Sequence, residues 1–181
     1  MNKIRMIALA ACMAATLDAS AQEQEIRLFS HRGGRMEHDE NTLSAFQASY
    51  DAGYRGFETD IRMTRDGALV ITHDSSLERT TNGTGTVEEK TEAEIRQLAT
   101  KQGNKMMFLD ELLEFLKGKE GLYVEFEMKT KPEVLYPEER LHAYCDKLYD
   151  AVMAVKPADA TFVFTSGDYR GLRYLQAKHP G

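Results

Sequence analysis

Cysteine is scarce in this chain, positive charge is nowhere massed, and no hydrophobic run is long. Only Cys12 and Cys145 occur among 181 residues. Cys12 falls in a leader segment, so the remaining chain keeps one thiol and no intramolecular disulfide can form. The 23 Lys and Arg residues against 29 Asp and Glu give a formal net charge of −6, and no basic stripe is visible. A protein that grips a nucleic-acid backbone concentrates Lys and Arg on one face, which excludes nucleic acid as a partner class. The acidic balance serves solubility. No apolar run approaches the roughly 20 residues of a membrane-spanning helix, and no internal repeat or low-complexity tract appears. What remains is the composition of a globular domain, with a hydrophobic fraction of 42% and a charged fraction of 29%, long enough for one sizeable core.

Residues 1–21 read as a secretory signal peptide and residues 22–181 as the domain. Lys3 and Arg5 open the segment, residues 6–17 are short, apolar and alanine-rich, and Ala19-Ser20-Ala21 precedes Gln22 as a small-residue cleavage site. The expected location is secreted or periplasmic. Leu9-Ala10-Ala11-Cys12 also has the shape of a bacterial lipoprotein signal, which would anchor the chain through a lipid on Cys12. The apolar run before Cys12 is very short, which favours cleavage after Ala21.

Along the domain, strand and helix patterns alternate. Residues 27–30 read as a strand ending at His31, with Gly33-Gly34 marking a loop. A helix starts at Asn41-Thr42 and carries Leu43, Ala45, Phe46, Ser49 and Tyr50 at helical spacing before Gly53. Gly56–Met63 is a second strand, Arg65-Asp66-Gly67 a turn, and residues 68–72 a returning apolar run. Residues 80–86 form a loop of Gly, Thr and Asn. Thr91 opens a capping box for a short helix through Leu98, and residues 108–116 a further helix. In residues 121–129 Leu122, Val124, Phe126 and Met128 point one way and Tyr123, Glu125, Glu127 and Lys129 the other. A loop bracketed by Pro132 and Pro137, a helix through Leu141, Tyr144, Leu148 and Val152, a strand at Thr161–Thr165 and a helix at Tyr169–Lys178 complete the pattern. The alternation predicts a parallel α/β fold.

The chemistry sits at strand ends. Glu58 and Asp60 are two apart on a strand, so they share a face. They read either as a polar edge facing solvent or as a pair relieved by a cation, and oxygen-only ligands favour Mg2+ or Ca2+. Glu127 lies on the next parallel strand beside Lys129. Parallel strands are usually covered on both faces, so that polar row faces either the interior of a barrel or a sheet edge. His31 and His73 each end an apolar segment. A lone histidine there is commonly structural, whereas two brought together make an acid/base pair. Arg32 can hold a phosphate oxygen bidentately.

His31-Arg32-Gly33, Glu40-Asn41-Thr42, Glu58-x-Asp60, His73-Asp74, Arg79-Thr80-Thr81-x-Gly83-x-Gly85 and Glu127-x-Lys129 together resemble the glycerophosphodiester phosphodiesterase family, over about residues 26–178. The resemblance implies a TIM-type (β/α)8 barrel with its site at the C-terminal ends of the strands. It implies one divalent cation on Glu58, Asp60 and Glu127, His31 and His73 as the acid/base pair, and Arg32 and Lys129 on the phosphate. The implied reaction releases an alcohol and glycerol 3-phosphate from a small-molecule glycerophosphodiester. Asp39 stands where the family usually has proline, and Glu125 where it often has asparagine. Glu125 could pair with Lys129 or sit on a structural cation. Glu40 and Asn41 border the motif, with helix capping as a second account of Asn41. His38, His142 and His179 are expected at the surface.

A complete barrel needs about 250 residues, and only about its first half is legible here. The favoured expectation is a piece of a longer protein. A truncated, inactive half-barrel and a half that pairs with another chain are the alternatives. Among enzymes, a phospholipase D-like or phosphoinositide-cleaving barrel is the alternative, although no amphipathic membrane helix is evident.

Overall fold

The computed structural model describes residues 27–180; the expected signal segment, with Cys12, lies outside them. In chain order the elements are β1 (Phe29–His31), α1 (Leu43–Asp51), β2 (Gly56–Met63), β3 (Leu69–Ile71), α2 (Glu92–Ile95), α3 (Leu109–Leu116), β4 (Tyr123–Met128), α4 (Glu138–Val155), β5 (Thr161–Thr165) and α5 (Tyr169–Lys178). Among them β1, β2, β4 and β5 are hydrogen-bonded in that order, all parallel. Each is followed by a helix, the repeating unit from which a (β/α) barrel is wound. Among the described residues, β1 and β5 each leave one edge unpaired.

The pleat separates two chemistries. Phe57, Ile61, Val124 and Phe126 face the helices and are wholly buried. They pack with Phe46 of α1, Leu112 and Leu116 of α3, and Tyr144 and Leu148 of α4. Burying one such side chain contributes about 1.5–3 kcal/mol. Leu109, Leu112, Leu113 and Leu116 recur at the three- and four-residue spacing that places them on one side of α3. The opposite face of the sheet carries Glu58, Asp60, Glu125 and Glu127.

Strand β3 departs from the strand–helix alternation. It runs antiparallel to the outer end of β2, pairing Ile61 with Ile71 and Met63 with Leu69. Glu58 O accepts from Arg32 N at 3.1 Å and Asp60 O from Thr72 N at 3.0 Å. Strands β1 and β3 therefore share one edge of β2 and approach each other with their C-terminal ends, which brings the chain after His31 and the chain before His73 to alternate residues of β2, Glu58 and Asp60.

Residues 64–108 form an excursion with a small core of its own, built from Val70, Leu77, Val87, Ile95, Met106 and Phe108. Helix α2 starts at the expected capping box of Thr91 and Glu94 but ends before Leu98. Backbone pairing of Thr81 with Thr100 and Ala99 with Lys105 turns the chain there, and Leu98 packs on the small core instead. The first strand is Phe29–His31, one or two residues later than the pattern suggests.

Candidate active site

Strand register assembles the carboxylates. Glu58 lies opposite His31 on one side and Glu125 on the other, and Asp60 lies opposite Glu127. Glu58, Asp60 and Glu127 each present a carboxylate oxygen within 4.8 Å of the others. Asp60 is fully buried and Glu58 nearly so. Among the described residues Glu58 Oε1 accepts no hydrogen bond, while Asp60 Oδ1 meets the Lys129 ammonium at 3.2 Å without a hydrogen bond. Burial first, then the charge of Asp60, pushes the Glu58 carboxyl up to about 8. Such a cluster needs either a proton or a cation. A set of oxygens with orphaned lone pairs fits a hard divalent ion, so these three residues could hold one.

Two cations border the cluster. Lys129 Nζ lies 2.8 Å from Glu127 Oε1. Arg32 Nε lies 3.2 Å from Asp60 Oδ2, and its Nη1 lies 3.2 Å from Glu40 Oε1. The Arg32 backbone N donates to Glu58 Oε2 at 3.1 Å. Arg32 has a left-handed φ of 54°, uncommon for a long side chain, and Gly33 follows it. A Cβ on Gly33 would meet Ala45 Cβ at 3.0 Å and Phe46 N at 3.1 Å. The close approach of this loop to α1 thus requires glycine and fixes where Arg32 stands.

The histidines occupy different surroundings. His31 Nε2 is 3.5 Å from Glu58 Oε2, with its side chain 49% exposed. Burial, then the charges of Arg32 and Arg35, lowers its pKa, so the neutral ring, able to accept a proton, predominates at pH 7. His73 Nδ1 is bonded to Asp74 Oδ1 at 2.5 Å. Asp74 is also bound by Arg79, which clamps both Glu40 oxygens at 2.7 and 2.9 Å. Burial opposes ionisation of Asp74, but the hydrogen bonds from Arg79 and His73 outweigh it and hold the carboxyl at about 2. The Arg79 hydrogen bond is the largest influence holding Glu40 below its usual range. A chain of polar contacts thus runs from His73 through Asp74, Arg79, Glu40 and Arg32 to Asp60.

The sequence model of the glycerophosphoryl diester phosphodiesterase family matches residues 31–180. The chain belongs to that family. It is 37% identical over 123 residues to a glycerophosphodiester phosphodiesterase of Caldanaerobacter subterraneus, covering 63% of this chain and 50% of the relative. It is 42% identical over 73 residues to human glycerophosphodiester phosphodiesterase 1, covering 40% of this chain and 22% of that one. An Oleispira antarctica phosphodiesterase, solved in complex with the product sn-glycerol-3-phosphate, superposes with a TM-score of 0.75 at 26% identity, over 86% of this chain and 63% of that one. A Silicibacter pomeroyi family structure superposes with a TM-score of 0.76 at 26% identity, over 86% and 62%. The fold is therefore the parallel α/β architecture of the family's TIM barrels, matched over about three fifths of their chains, and this chain spans about half of its bacterial relative.

All seven residues expected at the family site lie toward one end of the sheet: Arg32 and Lys129 pair with the carboxylates Glu58, Asp60 and Glu127, His31 stands 3.5 Å from Glu58, and His73 is linked to the cluster through Asp74, Arg79 and Glu40. The structure separates readings that the sequence left open. Asn41 does not cap α1. Thr42 does, accepting from Ala45 N at 3.3 Å, while Asn41, with φ 58°, donates to Asp60 Oδ2 at 2.9 Å. Lys129 pairs with Glu127 and Asp60, not with Glu125. Asp39, in place of the usual proline, accepts from Thr100 and from Asn104 at 2.8 Å, which ties the loop to the excursion. His142 and His179 are partly buried, stacked on Tyr174 and Tyr149. Arg62 and Glu88 form a buried ion pair at 2.8 Å beside the site. Its one sequence signal is that Arg62 continues the Glu58, Asp60 face of β2; the partner, 26 residues away, has none.

Proposed function

We propose that the protein hydrolyses glycerophosphodiesters to an alcohol and glycerol 3-phosphate, with one divalent cation, Mg2+ or Ca2+, on Glu58, Asp60 and Glu127. The buried three-carboxylate cluster with its orphaned oxygens carries this reading, and family membership supports it. When bound, the cation polarises the phosphoryl group. Arg32 and Lys129 hold the non-bridging phosphate oxygens and orient the diester for in-line attack. His31, kept neutral by burial and its arginine neighbours, accepts the proton of the attacking hydroxyl; where that hydroxyl is water the product is glycerol 3-phosphate directly, and where it is the glycerol's own the product is a cyclic phosphate that one water then opens to glycerol 3-phosphate. The phosphorus–oxygen bond to the departing alcohol breaks, and that oxygen takes a proton from His73. Asp74 accepts from His73 Nδ1, which leaves Nε2 for that transfer. The composition of residues 1–21 supports a secreted or periplasmic location.

The test is release of glycerol 3-phosphate from glycerophosphocholine by the chain, with Mg2+ or Ca2+ and with chelator. Metal-dependent release is expected, and none at any protein concentration would overturn the reading. Hydrolysis of intact lipid vesicles but not of the deacylated diester would move the assignment to a phospholipase. Metal binding without turnover of either would identify an inert half-barrel. That outcome has its own motive, since β5 keeps no fully buried residue.

A further inference from the structure

Arg62 stands two residues beyond Asp60 on β2 and is 7% exposed. Its guanidinium reaches three segments. Nε donates to His73 O at 2.9 Å. Nη1 donates to Glu88 Oε1 at 2.8 Å, to Lys129 O at 3.2 Å and to Lys131 O at 3.3 Å. These carbonyls lie just beyond the ends of β3 and β4, where the ladders no longer supply N–H donors and a buried acceptor still needs one. Glu88, 6% exposed, is held in turn by Ser75 Oγ at 2.6 Å and Tyr136 OH at 3.1 Å. On the other side of the same segment, Ser166 donates to Met128 O at 2.8 Å and Thr130 to Asp168 at 3.0 Å.

We propose that Arg62, with Glu88 as its buried counter-charge, is a positioning residue that sets His73 and Lys129 relative to one another about the carboxylate cluster. This rests on the reading of those two residues as reacting groups. The fork geometry is what the role needs. One planar group bonds the carbonyl of His73 from one nitrogen and that of Lys129 from another, so the two strand ends cannot move independently. Stability alone does not call for this arrangement, because a buried ion pair can often be exchanged for neutral residues of similar volume without loss.

Two variants test it. In Arg62→Met combined with Glu88→Gln both charges leave together, so no unpaired charge remains. In Arg62→Lys the charge against Glu88 stays, but a single ammonium cannot span the acceptors of a fork, and this variant serves if the first fails to fold. Amide hydrogen exchange of residues 73–77 and 129–132 is expected to quicken while that of α1 and α4 stays unchanged. For an active wild type, kcat on glycerophosphocholine is expected to fall about 10²-fold, the scale of a reacting group misplaced by an ångström. Unchanged exchange in the two loops, a uniform rise over the whole chain, or wild-type kcat in Arg62→Lys would overturn the proposal. If the wild type itself shows no metal-dependent turnover, the functional reading has failed, and the exchange pattern still decides whether the pair couples the two loops.

Discussion

The two faces of β2 and β4 are made of alternate residues of the same strands, yet they solve opposite problems. Toward the helices, Phe57, Ile61, Val124 and Phe126 lose all contact with solvent and gain close packing. Toward the inside, Glu58, Asp60 and Glu127 crowd like charges at low solvation. The outer face supplies stability, and the inner face draws on it to hold groups that repel one another. Residue identity at a single position therefore has different consequences according to its parity along the strand.

Breaking the outer face has the largest expected effect. Phe126→Ala removes a fully buried ring that touches Phe162 and Phe164, and urea unfolding is expected to show a loss of about 3–5 kcal/mol. Activity would then follow the folded fraction. A loss under 1 kcal/mol would mean that the outer face is not the source of stability described above.

On the inner face His73→Ala is expected to slow turnover about 10²–10⁴-fold with an unchanged melting temperature, measured by glycerol 3-phosphate release and thermal denaturation. Equal damage to both would make His73 structural.

Glu58 gives the pH dependence. Its carboxyl titrates near 8 in the folded, metal-free protein against an ordinary value near 4.3 when unfolded. Between these values the folded state binds the extra proton, so stability is greatest below the lower value and falls as pH rises through the higher one. The slope from this one group reaches about 1.4 kcal/mol per pH unit. Urea melts of chelated protein at pH 5 and 8 would display it, and Glu58→Gln should remove the slope and, with it, much of any shift in melting temperature on adding Mg2+ or Ca2+. An identical slope in Glu58→Gln would place the titration elsewhere.

Arg79→Lys is the smallest change. The side chain is half-exposed, so its contribution to stability is expected within about 1 kcal/mol. Loss of the two-oxygen clamp on Glu40 should appear as a modest fall in kcat without a change in melting temperature, and a fall as large as that of His73→Ala would show Arg79 to be a reacting group.

Much of this was readable from one-dimensional patterns. The two-residue spacing of Glu58 and Asp60, the alternation in residues 121–129 and the leucine spacing of α3 are local, because backbone geometry alone decides which side chains share a face. The motif residues were legible in another way, through their resemblance to a known family. The role of Asn41 was not, since capping and a reach to Asp60 call for the same residue type, and only the left-handed backbone at 41 separates them. The Arg62–Glu88 pair escaped for a different reason: its partners meet across 26 residues and a chain reversal that no periodicity encodes.

By itself, the amino-acid sequence determined the order of strands and helices, the apolar and acidic faces of the sheet, and the motif residues that resemble those of the family. Tertiary structure alone decided that β1 and β3 share one edge of β2, that Asp60 and Glu127 stand in register, and that one buried guanidinium joins the ends of β3 and β4. The physical reason is range. Side-chain direction follows from neighbouring residues along the backbone, whereas register and shared edges depend on which distant segments bury their apolar surface together.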